Sequence, residues 1–443
     1  MISPSPNALS PEPAPREPLV LIESSRALPL VSISVALQSG SVAEPEAKEG
    51  LMRMTARLMR RTGGGLSTEV LDARIDSLGS SLGAEVGHST AAFHATVLRR
   101  SLEPLVDLLV DVVARPGFAE EEFGRLKREA ESELVDARDN DRSLVRRWFR
   151  RSLFPDHPYG RRVGGCVRSI RTIDLGDVHR MFESALVPDN LVFAFSGDID
   201  REAAETCARR ITGALGAGAP PEDKVTDPQI KPGRHLVIVN KPERTQTQIL
   251  IGGLGSHPSD PDHTALLVAN TVFGGTFTAR MTREVRSKRG WSYGAYSDLP
   301  YDRRREAFTM WTFPKAGDAA ACIRLELELL KNWRKKGITK RELLWAKRYL
   351  VRSHAFSVDT AAKRVGLALD EVLFRLPQRY HAEYTERVQA VTLDQANESV
   401  ETRISEENLL VAVVGTESEI GSAVRQAIDG LASTEVIAYD RED

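Results

Sequence analysis

The stretch Glu49–Gly65, EGLMRMTARLMRRTGGG, decides how this chain is read. Leu51, Met54 and Leu58 recur at the i, i+3, i+7 spacing of a helix that buries one face. Arg53, Arg57, Arg60 and Arg61 fall on another face. The run before it reads as a strand, so a stripe of arginines lies on the first helix of a domain. The spacing does not say what the stripe faces.

The bulk numbers bound the answer. A chain of 443 residues is too long for one ordinary core, so two domains of roughly 200 residues each are expected. Lys and Arg total 60 against 62 Asp and Glu, a net charge of -2, which excludes a bulk nucleic-acid binder with its clustered basic excess. No apolar run approaches the ~20 residues of a membrane span. Residues 1–17 are rich in Pro and Ser and read as a disordered leader without the basic-then-apolar pattern of a signal peptide. The expectation is a soluble, cytoplasmic protein. Cys166, Cys207 and Cys322 are far apart with no CxxC pair, so buried free thiols are expected rather than disulfides or a cysteine zinc site.

Gly, Pro and charge crowd the segment GALGAGAPPEDKVTDPQIKPGRH, which reads as a linker. It divides the chain into domains at 18–215 and 235–443, joined by residues 216–234. The two parts resemble each other. LVPDNLVFAFSG (186–197) followed by DIDREAAETCARRI matches ISEENLLVAVVG (404–415) followed by TESEIGSAVRQAI. Each is a polar turn, an apolar strand, a Gly and an acidic helix start. Ahead of each, the order β-β-α-α-β-β-α recurs. In the first part it runs from LVLIES through a helix at Leu102–Val113; in the second, from HLVIVN through a helix at Ala319–Lys336. FTARMTREVRSKR is read as the second helix of the second part. The fold class is therefore α+β: duplicated domains, each a mainly antiparallel sheet packed against helices.

A strand, a helix opening with EGL and a glycine-rich turn resemble the N-terminal half of the pitrilysin/insulinase-type zinc metallopeptidases, the family of the mitochondrial processing peptidases and the bc1 core subunits. HPYG (His157–Gly160), LVFAFSGDID and FGGTFTARM (Phe273–Met281) extend the resemblance over nearly the whole chain. Active members carry H-x-x-E-H on that first helix, two His gripping one zinc ion and a Glu activating its water. Aligning Glu49-Gly50-Leu51 puts Arg53 and Arg57 at the two His positions and Ala56 at the base. Arginine is always protonated and has no lone pair to donate; alanine cannot take a proton. Glu133 is the best match for the family's third ligand, with Glu129 and Glu131 close by and read as surface carboxylates. No metal site is expected here. Among the nine histidines no pair is spaced i, i+4, although His88 and His94 could lie on neighbouring strands. The stripe could pair with Glu133, bind a carboxylate of a partner or peptide, or be a solvated basic face.

The second part keeps a different signature. VRSKRGWSYG (285–294) resembles the family segment in which an Arg and, seven residues on, a Tyr reach the substrate chamber from the half that lacks zinc. These are Arg286 and Tyr293. The resemblance implies that they hydrogen-bond substrate backbone and stabilise the developing oxyanion. Phe273, Gly274 and Gly275 precede them, and the resemblance implies that they line the same chamber. Aligning LGSSLGA with RGWSYGA puts Ile75 opposite Arg286 and Leu82 opposite Tyr293, so the polar pair exists only in the second copy. The expectation is a zinc-less subunit of a heterodimeric peptidase: inactive alone, with no cofactor of its own. It would complete the site of a zinc-bearing H-x-x-E-H paralogue that hydrolyses unfolded peptides. The rival expectation is a non-enzymatic scaffold or peptide-binding module like the bc1 core subunits.

Overall fold

A computed structural model describes residues 17–442; apart from its last residue, the leader read at 1–17 lies outside the described residues. The strands are β1 (Leu19–Ser24), β2 (Leu30–Leu37), β3 (Ser81–Val86), β4 (Ala91–Leu98), β5 (Leu191–Gly197), β6 (Arg234–Asn240), β7 (Gln248–Leu254), β8 (Ala295–Asp298), β9 (Ala307–Thr312), β10 (Leu409–Gly415) and β11 (Leu431–Ala438). They form two sheets, ordered β1-β5-β2-β4-β3 and β11-β6-β10-β7-β9-β8. Without β11 the two orders are the same. The pairs β1/β5, β6/β10 and β6/β11 are parallel, and the other pairs are antiparallel. The architecture is the duplicated α+β arrangement expected. The added strand β11 was not anticipated: its side chains are mostly exposed, so it carries little apolar pattern.

β5 and β10 are apolar along nearly their whole length and buried on both faces. The helices of each half cover only one face. Ile33, Val35, Phe93 and Phe195 pack under Leu51–Thr62 and Leu102–Ala114. Ile249, Ile251, Phe308 and Met310 pack under His263–Phe273 and Ala319–Lys336. The other face is covered from the opposite half. The helix Asp141–Leu153 sets Leu144, Val145, Trp148 and Phe149 against Val237, Leu250, Leu410 and Ala412 of the second sheet. The helix Ala361–Leu373 sets Val365, Leu369 and Leu373 against Ala36, Val192 and Ala194 of the first. The two helices hold corresponding places in the two copies, so the exchange is reciprocal.

A clasp reinforces the exchange. Between β8 and β9, buried Arg303 donates to Leu373 O at 2.8 Å and to Gln38 O at 3.0 Å. Tyr159 of HPYG donates to Asp302 at 3.0 Å and accepts the Arg304 N–H. Arg150 grips Glu306 with two bonds of 2.8 and 2.9 Å. Between Thr212 and Arg234 the chain forms neither helix nor strand. It is nonetheless tied down, by Arg304 to Val225 O and by His157 to Thr226 O.

Two local departures from the sequence reading matter. The first helix begins at Leu51, not Glu49: Gly50 takes φ +94°, and the carboxyl oxygens of buried Glu44 accept the N–H groups of Gly50 and Met52. The segment read as one long helix at FTARMTREVRSKR contains a π-helical stretch, Thr282–Ser287, with Thr282 Oγ1 bonded across to Ala295 O. Such wide turns concentrate at functional positions.

Two expectations follow. Expressed alone, residues 17–215 should show no cooperative thermal transition by circular dichroism, because the outer face of β5 is left bare. Coexpression with residues 216–443 should restore one. Glu326 is fully buried, with no hydrogen-bond partner for either carboxyl oxygen, and desolvation pushes its pKa to about 8. The folded value lies above the unfolded one, so this carboxyl costs the protein stability as pH rises from about 5 to 8, as does Glu44, which burial also raises to about 8, while buried His88 and His263, pushed down, act the other way. Glu326→Gln should remove this carboxyl's share of that slope and stabilise the protein by ~2–4 kcal/mol at pH 8 relative to pH 5, read from urea titrations at both pH values.

Candidate functional site

The helix Leu51–Thr62 buries Leu51, Met54 and Leu58 as its spacing requires and leaves Arg53, Arg57, Arg60 and Arg61 half-buried. Three of these arginines, one turn apart, face the helix Glu120–Asp136, whose Glu129 and Glu133 are also one turn apart. Arg53 donates to Glu133 at 3.0 Å. Arg57 holds both oxygens of Glu133, at 2.7 and 3.0 Å, and lies 3.5 Å from Glu129. Arg61 takes Glu129 with both guanidinium nitrogens. Arg60 turns away to Leu82 O and Asp72. The stripe is therefore one side of an ion-pair ladder rather than a solvated face. Glu129, read as a plain surface carboxylate, is a rung of it; Glu131 pairs with Arg171 at 3.0 Å.

The resemblance would put this ladder where active members hold their metal, and its residues do not fit a metal. Burial acts against the charge of Glu133, but the bonds and charges of Arg57 and Arg53 outweigh it and hold the carboxyl below its ordinary range. The Arg61 hydrogen bond does the same for Glu129. Both carboxylates are thus ionised and occupied, while buried Ala56 offers no donor atom. Among the described residues, no group of three His, Cys, Asp or Glu side chains could hold a metal ion. His88 and His94 do not converge. His88 lies in the turn before β4, bonded to Arg150 and Ser41, and burial pushes it down to about 3; His94 bonds Ser34.

The corner before β8 presents Arg286 and Tyr293. Arg286 lies in the last turn of the π-helical stretch, and Gly290 N–H and Trp291 N–H bond back to Arg286 O and Val285 O. Ser292 and Gly294 are buried, and Ser292 Oγ bridges Gly294 O and the Phe313 N–H. Tyr293 lies between these two anchors with its side chain 79% exposed. The Arg286 guanidinium stacks 4.3 Å from the Phe277 ring and, among the described residues, makes no ion pair or hydrogen bond. In the first copy the corresponding Ile75 and Leu82 are 3% and 7% exposed, ordinary core residues. The same corner points inward in one copy and outward in the other.

Phe273 requires a correction. Its side chain is fully buried, stacked on Trp333 at 4.2 Å and 6°, so it is core and lines no open surface. Gly274 is buried as well: a Cβ there would lie 2.3 Å from Ser297 Oγ, and Gly274 O accepts the Ser297 N–H, which docks β8. Only Gly275 of the three is exposed. The residue the sequence reading passed over is Phe277, two positions on. It is 59% exposed and forms the platform under Arg286.

Comparisons with known proteins agree with this geometry. The family model described as insulinase (peptidase family M16) matches residues 19–165, and the one described as peptidase M16 inactive domain matches residues 172–350. An uncharacterized zinc protease of Mycobacterium leprae is 27% identical over 332 residues, 74% of each chain. A non-peptidase homolog of Helicobacter pylori is 19% identical over 405 residues, 90% of this chain and 92% of that protein. The crystal structure of a peptidase M16 inactive domain from Pseudomonas fluorescens superposes with a TM-score of 0.84 at 25% identity, covering 90% of this chain and 96% of that one. A chain of Complex III2 from Candida albicans shares the fold, with a TM-score of 0.75 at 14% identity over 92% and 97% of the two chains. The chain belongs to the insulinase-type M16 peptidase family.

Proposed function

We propose that this chain is the zinc-less subunit of a two-chain peptidase, and that Arg286 and Tyr293 are its contribution to the shared site. The observation that carries the reading is the asymmetry between the two copies. The first has replaced the metal ligands with a closed Arg–Glu ladder. The second holds an uncommitted guanidinium and an exposed phenol on an anchored corner. The match to the M16 inactive-domain model supports the same reading.

The division of labour follows from the side chains. A zinc-bearing H-x-x-E-H partner would hold the metal and the base that peptide hydrolysis needs. This chain supplies donors. The Arg286 fork, oriented by Phe277, can bind a substrate carbonyl as a fixed cation. The Tyr293 hydroxyl can donate to the same oxygen as it gains negative charge, an interaction stronger in the transition state than in the ground state. The substrate would be an unfolded peptide, since the two donors address main-chain oxygen and that must be free of secondary structure.

Mixing tests the proposal. The purified chain alone should cleave no peptide, and adding an H-x-x-E-H paralogue should produce turnover above that of the paralogue alone. Stable association without added turnover would instead support the scaffold reading. In the active mixture, Arg286→Ala should lower kcat/KM roughly 10²–10³-fold and Tyr293→Phe roughly 10-fold, with assembly unchanged by gel filtration. Loss of assembly would make these residues structural. The triple variant Arg53→His, Ala56→Glu, Arg57→His places two imidazoles beside Glu133 and should bind zinc by elemental analysis. It should remain inactive by itself; turnover by the isolated variant would refute the two-chain requirement.

A further inference from the structure

The second sheet carries a row of aromatic side chains that the half-site above does not use. We propose that this row, with Arg142 and Arg146, is a shelf that selects peptides with acidic side chains next to apolar ones. The inference rests on the proposed function and names the class of peptide that the half-site takes.

Tyr296 of β8 and Trp311 of β9 are directly paired, with ring centroids 6.4 Å apart and planes 18° from parallel. Phe313 continues the row 4.9 Å from Trp311. All three are half-buried. The row closes over Gly294, where a Cβ would lie 2.9 Å from both Phe313 and Tyr296. It therefore ends one residue from Tyr293. Trp311 is fixed further by its indole N–H bond to Gln248 at 2.9 Å.

The exchanged helix Asp141–Leu153 brings the charge. Arg142 lies 3.9 Å over the Trp311 ring. One turn on, Arg146 lines a cavity of about 540 Å³ whose walls include Leu250, Ala307 and Thr309. Among the described residues neither guanidinium has an ion pair or a hydrogen bond. Arg150, in the same cavity, is taken by Glu306. Asp298 at the rim is exposed and stands beyond ion-pair distance of both arginines. Burial, and then the neighbouring Arg142, act against the charge of Arg146, and Asp298 offsets them only in part. A carboxylate held between the two would relieve both, and a guanidinium fork suits it.

The internal duplication supplies the control. At the places of Tyr296, Trp311 and Phe313, the first sheet has Glu85, Ala92 and His94. Counted from the start of the corresponding helix, Arg142 and Arg146 become Ala362 and Gly366, while Val145 and Phe149 become Val365 and Leu369. The packing positions are kept in both copies. The aromatic and cationic ones occur only on the sheet that also carries Arg286 and Tyr293. Scaffold alone would not require that coincidence. Stacked aromatics accept apolar side chains and peptide planes, and the arginines add the sign preference.

The test is fluorescence anisotropy on the full chain with three labelled, unstructured peptides that differ only in having Glu, Gln or Lys between Phe and Leu residues. The Glu peptide should bind at least 10-fold more tightly than the Gln peptide, with Lys weakest, and the gap should shrink in 0.5 M salt, roughly a 4 Å screening length. Arg142→Glu with Arg146→Glu should invert the order, and the milder Arg142→Gln with Arg146→Gln should erase it. Trp311→Leu should weaken all three without reordering them. Equal affinity for the three peptides, or an order untouched by charge reversal in a variant with wild-type circular dichroism, would overturn the shelf. Binding by the lone chain needs no partner, so the two proposals fail separately. Glu preference without turnover on mixing would leave the shelf and remove the half-enzyme; turnover without Glu preference would do the reverse.

Discussion

Everything in this structure depends on burying two sheets on both faces with helices enough for one face each. β5 and β10 are the strands that impose the constraint, being apolar throughout and central in their sheets. A bare sheet face of this kind exposes several large side chains, each contributing about 1.5–3 kcal/mol when buried. Exchange of the helices Asp141–Leu153 and Ala361–Leu373 resolves the deficit for both sheets at once. The arginine clasp at Arg303, Arg304 and Glu306 then fixes the angle between the halves, because its bonds run to both of them and to the connecting segment. The corner that presents Tyr293 and the helix that presents Arg142 are held relative to one another by that same burial.

The first helix shows how two helices can be held together without a metal. A tetrahedral zinc site ties two helices together through a few short bonds. Here the same two helices are tied by guanidinium–carboxylate pairs at one-turn spacing. Partly exposed pairs of this kind are worth little singly, about 0.2–1 kcal/mol each, and more when several share partners. The helix does not rely on them alone, since Leu51, Met54 and Leu58 are in the core. What the ladder secures is the spacing between Leu51–Thr62 and Glu120–Asp136.

The duplicated element order was legible in the sequence because strands and helices repeat with strong periodicity, and the degenerate motif was legible because Arg53, Ala56 and Arg57 are chemically opposite to metal ligands. The role of the stripe was not, since spacing on one helix says nothing about which helix faces it. Phe273 misled for a related reason: a residue beside two glycines in a motif still points wherever the helix turns it, and here that is toward Trp333. β11 and the helix exchange were invisible because neither leaves a local pattern. Buried Glu326 shows the same limit, since a glutamate on the helix Ala319–Lys336 reads as solvent-facing until the fold closes over it.

The reciprocal helix exchange bears on how the two copies can vary. Two identical copies that each lend a helix to the other's sheet describe a domain-swapped homodimer with a two-fold axis. Joining the copies in one polypeptide keeps that arrangement but ends the obligation for both to change together. In one polypeptide a substitution falls on one copy only. Here the first copy closes the space between two helices with ion pairs, while the second carries polar groups on the corner where the first is apolar. Such lopsided chemistry is a freedom that a symmetric homodimer, with every substitution made twice, does not have.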